Sequence, residues 1–192
     1  MPNVNNCVKL RLWWAVALLG LATLAAAPND YLSAKHKFDL IDGGGLRPGS
    51  RVELSVRELD AYAEQEVPAG VRSPRLQLAA PGIATGVAMV DFGKLRRALG
   101  YQTGWLMSKL LDGDHPVSGT ARIRSAGGQA TVDLQRVEIS GIAIDGGTLD
   151  FLIQNILLPL YPNAVVGRPF ELGHRIERLD VAPAAVAVVI GR

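Results

Sequence analysis

Apolar and polar side chains alternate along residues 51–55, with Val52 and Leu54 on one side and Glu53 and Ser55 on the other. A period of two is the mark of a strand with one buried face. The period returns at Arg75 to Ala79, where Leu76 and Leu78 share a side, and after the Pro81-Gly82 turn signal it continues from Ile83 to Phe92 with a bulge expected near Gly86. It is cleanest at Val117 to Ser125, where Val117, Gly119, Ala121 and Ile123 oppose Ser118, Thr120, Arg122 and Arg124. A tight turn at Ala126 to Gln129 then leads into a partner strand, Ala130 to Ile144, whose phase shifts near Gln135 and Arg136. A phase shift of this kind predicts a bulge. Two more strands are predicted at Ile176 to Val181 and Ala184 to Ile190, joined at Pro183. The last is apolar on both sides, so both are covered or one lines a cavity.

Three stretches carry the helical period instead. Ser55-Val56-Arg57-Glu58 matches a capping box and predicts a helix of about ten residues ending before Pro68. Lys94 to Leu111, with Gly100 and Gly104 as candidate breaks, carries Leu95, Leu99, Leu106 and Leu110 on one stripe. Leu149, Leu152, Ile153, Ile156, Leu157 and Leu160 follow the spacing of one helix face. The order is approximately β-α-β-β-α-β-β-α-β-β, which predicts an α+β fold: long antiparallel strands with helices against one face.

The N-terminus has a different pattern. Lys9 and Arg11 precede an uncharged run from Leu12 to Ala27 that ends in three alanines. A basic start, apolar middle and small-residue end have the order of an export signal. The run is short of the roughly 20 residues that span a bilayer comfortably, so cleavage is favoured over a permanent anchor. Pro28 argues against cleavage after Ala27, and Ala25 is the better position. The expected organisation is a signal peptide or membrane anchor at 1–27, a flexible lead at 28–50 with one short strand at Lys37 to Ile41, and a single α+β domain at 51–192. The location is the periplasm or envelope surface.

Composition narrows the function. The single cysteine, Cys7, lies before the apolar run, so the exported part has none to pair. All acids lie after Ala27, and without Lys9 and Arg11 that part is formally neutral. Neutrality gives no electrostatic footprint for nucleic acid. His36, His115 and His174 are far apart and none has a partner at metal-ligand spacing, so no metal or cofactor is expected. Asp112, Asp114, His115 and Ser118 are the one local group that unites nucleophile, base and acid. They fall where turn residues are common anyway. No nucleophile elbow or phosphate loop occurs, and Gly43-Gly44-Gly45 lacks the strand and helix that a phosphate cradle needs. Asp133, Glu138, Asp145 and Asp150 are expected to be solvated, with Arg122, Arg124 and Arg136 as cross-strand partners. No enzymatic activity is expected.

The remaining signal is aliphatic. Few aromatics and many Val, Leu and Ala suit an undirected apolar groove as well as an ordinary core. Three segments resemble secreted bacterial proteins of the tubular lipid-binding (TULIP-like) kind. They are the strand and helix start Val52 to Tyr62, the long hairpin Ser118 to Gly141, and the finish from Leu149 to Pro159 through Arg168-Pro169-Phe170-Glu171-Leu172 to Ile190. Asp60 stands where that family usually has Asn, and the Phe170 segment lacks the usual Leu-Pro. The resemblance implies a long curved sheet wrapped on amphipathic helices as a half-barrel, with a lipid-accessible seam and no catalysis. Leu106, Leu110, Leu152, Ile153, Ile156 and Leu157 are the expected lipid-lining residues. The competing expectation is a dry assembly partner that pairs an edge strand, or the apolar last strand, with another protein.

Overall fold

The computed structural model describes residues 27–98, 100, 113–158 and 165–192. The architecture is α+β, with two antiparallel sheets and few helices. Strands β1 (Arg51–Ser55), β9 (Ala185–Ile190) and β8 (Ile176–Ala182) form a three-stranded sheet in the order β1-β9-β8. Strands β2 (Val71–Ala80), β3 (Ile83–Val90), β4 (His115–Ala126), β5 (Gln129–Ile139) and β6 (Ile142–Ile144) form the larger sheet in chain order, and the two-residue β7 (Phe170–Glu171) also pairs with β5. Turn chemistry explains the meander. Gly127 and Gly128 both have positive φ in the β4–β5 turn, as the twist-matched two-residue hairpin requires.

Helix α1 (Ala27–Asp42) occupies most of the stretch expected as a flexible lead, and the short strand expected at Lys37 to Ile41 is its last turns. The alternation of Lys37, Phe38, Asp39 and Leu40 imitates a strand because Leu40 is exposed. The packed positions are instead Tyr31, Ala34, Phe38 and Ile41, at helical spacing. Helix α2 (Val56–Glu66) begins where the capping box predicts: Ser55 Oγ accepts from Glu58 N–H, and Glu58 reaches back to Ser55 N–H. Helix α3 (Phe92–Ala98) covers the start of the stretch expected as a helix from Lys94 to Leu111; Gly100, one of the expected breaks, has positive φ in the turn after it, and residues 101–112 lie outside the described part. Helix α4 (Gly146–Leu152) passes into a π-helical turn, Ile153–Leu157. The wider turn changes the spacing of the residues along the segment. No residue of α4 is buried.

The Gln135 bulge is present: Thr120 pairs with Arg136 and Ala121 with Leu134, leaving Gln135 over. The bulge expected near Gly86 is not. Gly86 pairs regularly on both sides, and the irregularities fall on β2, at Ser73-Pro74 and Leu78-Ala79. Bulges on both strands that flank β3 and β4 bend the sheet.

Two clusters hold the molecule together. The first joins α1 to the small sheet through Ala34, Ile41, Leu54, Val188 and Ile190, with Leu59 and Tyr62 of α2 packed against it. The doubly apolar β9 is explained here. Val188 and Ile190 enter this cluster, while Ala187 and Val189 lie on the face where Arg51 and Arg178 both bind Asp180. Because β9 lies between β1 and β8, it is not available to pair with another protein. The second cluster is Val90, Phe92 and Leu95, packed on Val71, Ala88, Val117 and Ile139. Gly70 makes it possible: its φ is +98°, and a Cβ there would lie 2.7 Å from Leu95 N.

Candidate functional site

The registers of the large sheet assign every side chain to a face. Val90, Ala88, Gly86 and Ala84 of β3 share one face with Val117, Gly119, Ala121 and Ile123 of β4. Leu76 of β2, Leu134 and Val137 of β5, and Ile142 and Ile144 of β6 lie on the same face. The other face carries Arg72, Arg75, Gln77, Ser118, Thr120, Arg122, Arg124, Asp133, Arg136 and Glu138, so the sheet is amphipathic. Arg124 pairs across the strands with Asp133, as expected, whereas Arg136 pairs with Glu138 two residues along β5 rather than across strands, both at 2.5 Å. Hydrogen bonding by Arg136, strengthened by its charge, holds the Glu138 carboxyl below its ordinary value.

Both ends of the apolar face are covered. At the hairpin tips β8 crosses it. Ser125 Oγ donates to Leu179 O and accepts from Leu179 N–H, Gly82 N–H donates to Val181 O, and Gly128 N–H donates to Glu177 O. At the opposite end, α3 sets Phe92 and Leu95 over two adjacent rungs, Val71–Val90–His115 and Ala88–Val117–Ile139. Asp91 fixes α3 by accepting from Lys94 N–H. Between the two covers lie the six strand steps from Val117 to Ile123, about 20 Å of sheet.

Among the described residues nothing covers the middle of this stretch. Gly86 and Gly119 are direct cross-strand partners, and a Cβ at either would meet no atom of the described residues within 4 Å. Ala84, Ala88, Ala121, Leu76, Leu134 and Val137 around them are only half-buried. The result is a shallow apolar trough with a glycine floor. Helix α2 closes its β2 side: Asp60 accepts from Leu76 N–H and Glu64 binds Arg75, so the edge of β2 does not present unpaired groups there.

Of the six residues expected to line a lipid site, only Leu152, Ile153 and Leu157 have described side chains. Leu106 and Leu110 lie outside the described residues, as does the side chain of Ile156. Leu152, Ile153 and Leu157 are half-buried on the α4 segment, and neither core cluster includes them. The floor was legible in the sequence as the Val117-Gly119-Ala121-Ile123 alternation. What was missing is the pairing of Gly119 with Gly86, which only the register supplies.

The Asp-His-Ser group does not assemble. Asp114 forms an ion pair with Arg72, Ser118 donates to Glu138 at 3.4 Å, and His115 Nδ1 lies 3.2 Å from Ser140 Oγ. The His115 ring stands beside Phe92, and its Nε2 is buried without a hydrogen-bond partner. Asp112 lies outside the described residues. Among the described residues no three His, Cys, Asp or Glu side chains gather as a metal site, and no helix is long and apolar enough to cross a membrane.

A second, open cleft of about 330 Å³ lies at the β4–β5 tip beside Gln129, Glu171, His174 and Arg175. Its shape follows from a strained turn, Gly173 to Ile176, with His174 and Arg175 both at positive φ. Arg175 holds that turn by donating to the carbonyls of Gly44 and Leu46, which ties it to the α1–β1 link. The cleft is polar and is explained by this clamp.

No family model, no curated protein and no solved structure matches the chain.

Proposed function

We propose that the protein is a non-enzymatic lipid-holding module of the cell envelope, and that an apolar chain lies along the bare floor between β8 and α3. The observation that carries this is the unfilled Gly86–Gly119 pair in the middle of an otherwise aliphatic face. A half-barrel of the TULIP-like kind is the finer form of the α+β fold under this reading. The bulges on β2 and β5 supply the bend it needs, and the covers at each end give the chain its limits. The lack of hydrogen-bonding groups on the floor fits a ligand recognised by shape and burial rather than by direction. Export through the N-terminal run would place the module where such lipids are handled.

The test is native mass spectrometry of the protein purified from the envelope of its own host, followed by organic extraction. A near-stoichiometric lipid is the expected result, and it identifies the ligand class. A clean apo mass, with no lipid gained on incubation with host lipid extracts, overturns the reading and leaves a dry structural domain.

A further inference from the structure

We infer that the outward stripe of α1, formed by Leu32, His36 and Leu40, lies against a lipid bilayer, and that the N-terminal apolar run stays in that bilayer as an anchor. These residues are spaced i, i+4 and i+8, so they share one side of the helix. Leu32 is 60% exposed and Leu40 42%, two of the few large apolar side chains that the described residues leave in solvent.

The helix cannot roll to hide them, because its other side is pinned along its length. Asp30 pairs with Arg57 at 3.7 Å, Tyr31 stacks on Tyr62, and Phe38 packs on the same ring. Ser33 and Lys37 donate to the buried carboxylate of Glu58 at 2.5 and 2.6 Å, and Ala34 and Ile41 are in the core.

The occupant follows from what precedes the helix. The uncharged run Leu12 to Ala27 ends on the first residue of α1, and Leu32 is five residues later, about 8 Å along a helix. With so little chain between them, whatever holds the run is close to the stripe. Retention of the run departs from the cleavage after Ala25 that the sequence favours, and the mass of the recovered chain decides between them. Charge favours a neutral lipid surface: Lys35 and Asp39, beside the stripe, pair with one another at 3.1 Å and leave no free basic cluster for anionic lipid. Contact therefore depends on apolar insertion and resists salt. This placement stands on α1 alone, whatever the trough holds.

The experiment uses the full chain in phosphatidylcholine vesicles with Cys7→Ser, carrying an NBD label at Leu40→Cys or, as a control, at Gln77→Cys on the wet face of the sheet. Both sites are exposed, so the fold tolerates the label. Dithionite is expected to reduce the label at 40 about tenfold more slowly than that at 77, in low and high salt alike. Equal reduction rates overturn the placement. So does a chain recovered from host membranes with a mass that lacks the first 25 residues. If lipid co-purifies while the label at 40 is unprotected, this inference falls and the lipid-holding function stands; protection without co-purifying lipid does the reverse.

Discussion

Leu54 and Leu134 are both leucines on the apolar face of an antiparallel strand, yet Leu54 is 2% exposed and Leu134 stays half-buried. The difference lies in what stands opposite. Leu54 faces two helices locked in place by a buried ion cluster, and its neighbours Val188 and Ile190 are equally enclosed. Leu134 is paired with Ala121 on a face whose neighbouring rung is two glycines with no atom of the described residues above them. Alternation of apolar residues therefore marks a face, but not whether another layer of protein fills it. A stretch of that face which no described residue fills, between the β8 and α3 covers, is the physical basis of the lipid-holding reading.

The contrast can be broken most forcefully at Leu54. Leu54→Ala is expected to cost about 4 kcal/mol, whereas Leu134→Ala should cost only about 1, because less packing is lost from a half-buried site. Denaturant unfolding of both variants checks this; equal costs would mean that the sheet face is as filled as the small-sheet core.

Acid titration separates the two regions next. Burial pushes the Glu58 carboxyl up, but hydrogen bonds from Lys37, Ser33 and Ser55 outweigh it and hold the group at about 2, below its ordinary 4.5. A depressed value means the native state prefers the charged form, so the stabilisation is present above pH 4.5 and is lost as pH falls toward 2. About 3 kcal/mol should disappear over that window, with most of the loss traceable to α1 docking. Glu58→Gln is expected to flatten the dependence. An unchanged acid slope in that variant would contradict the role given to the cluster.

Gly70→Ala is expected to cost about 2 kcal/mol, since the position has positive φ and the new Cβ meets the α3 backbone. Its loss should loosen the Phe92–Leu95 cover and raise amide exchange in α3, while exchange in α1 stays as before. Uniform loosening of both helices would argue against two independently packed ends.

Much of this division was readable from residues alone. Ser55 and Glu58 announce the start of α2, Gln135 announces the bulge, and the alternation of β4 assigns its two faces correctly. Helix α1 was hidden because Phe38 and Leu40 alternate with Lys37 and Asp39 over five residues, long enough to look like a strand, while the triglycine that follows looks like a linker. The helical period from Leu149 correctly marks the α4 segment, but a period of apolar residues does not announce that its later part winds as a π turn. The trough depends on cross-strand register between residues more than thirty positions apart, and no local pattern encodes that.

The most direct measurement is on Gly119→Val, by thermal unfolding and native mass spectrometry on the same preparation. Valine suits a strand, and no described residue stands above Gly119, so the variant is expected to melt at the wild-type temperature or slightly above it while losing the bound lipid. A melting temperature several degrees lower, with bound lipid unchanged, would show that the space is already filled and that the lipid lies elsewhere.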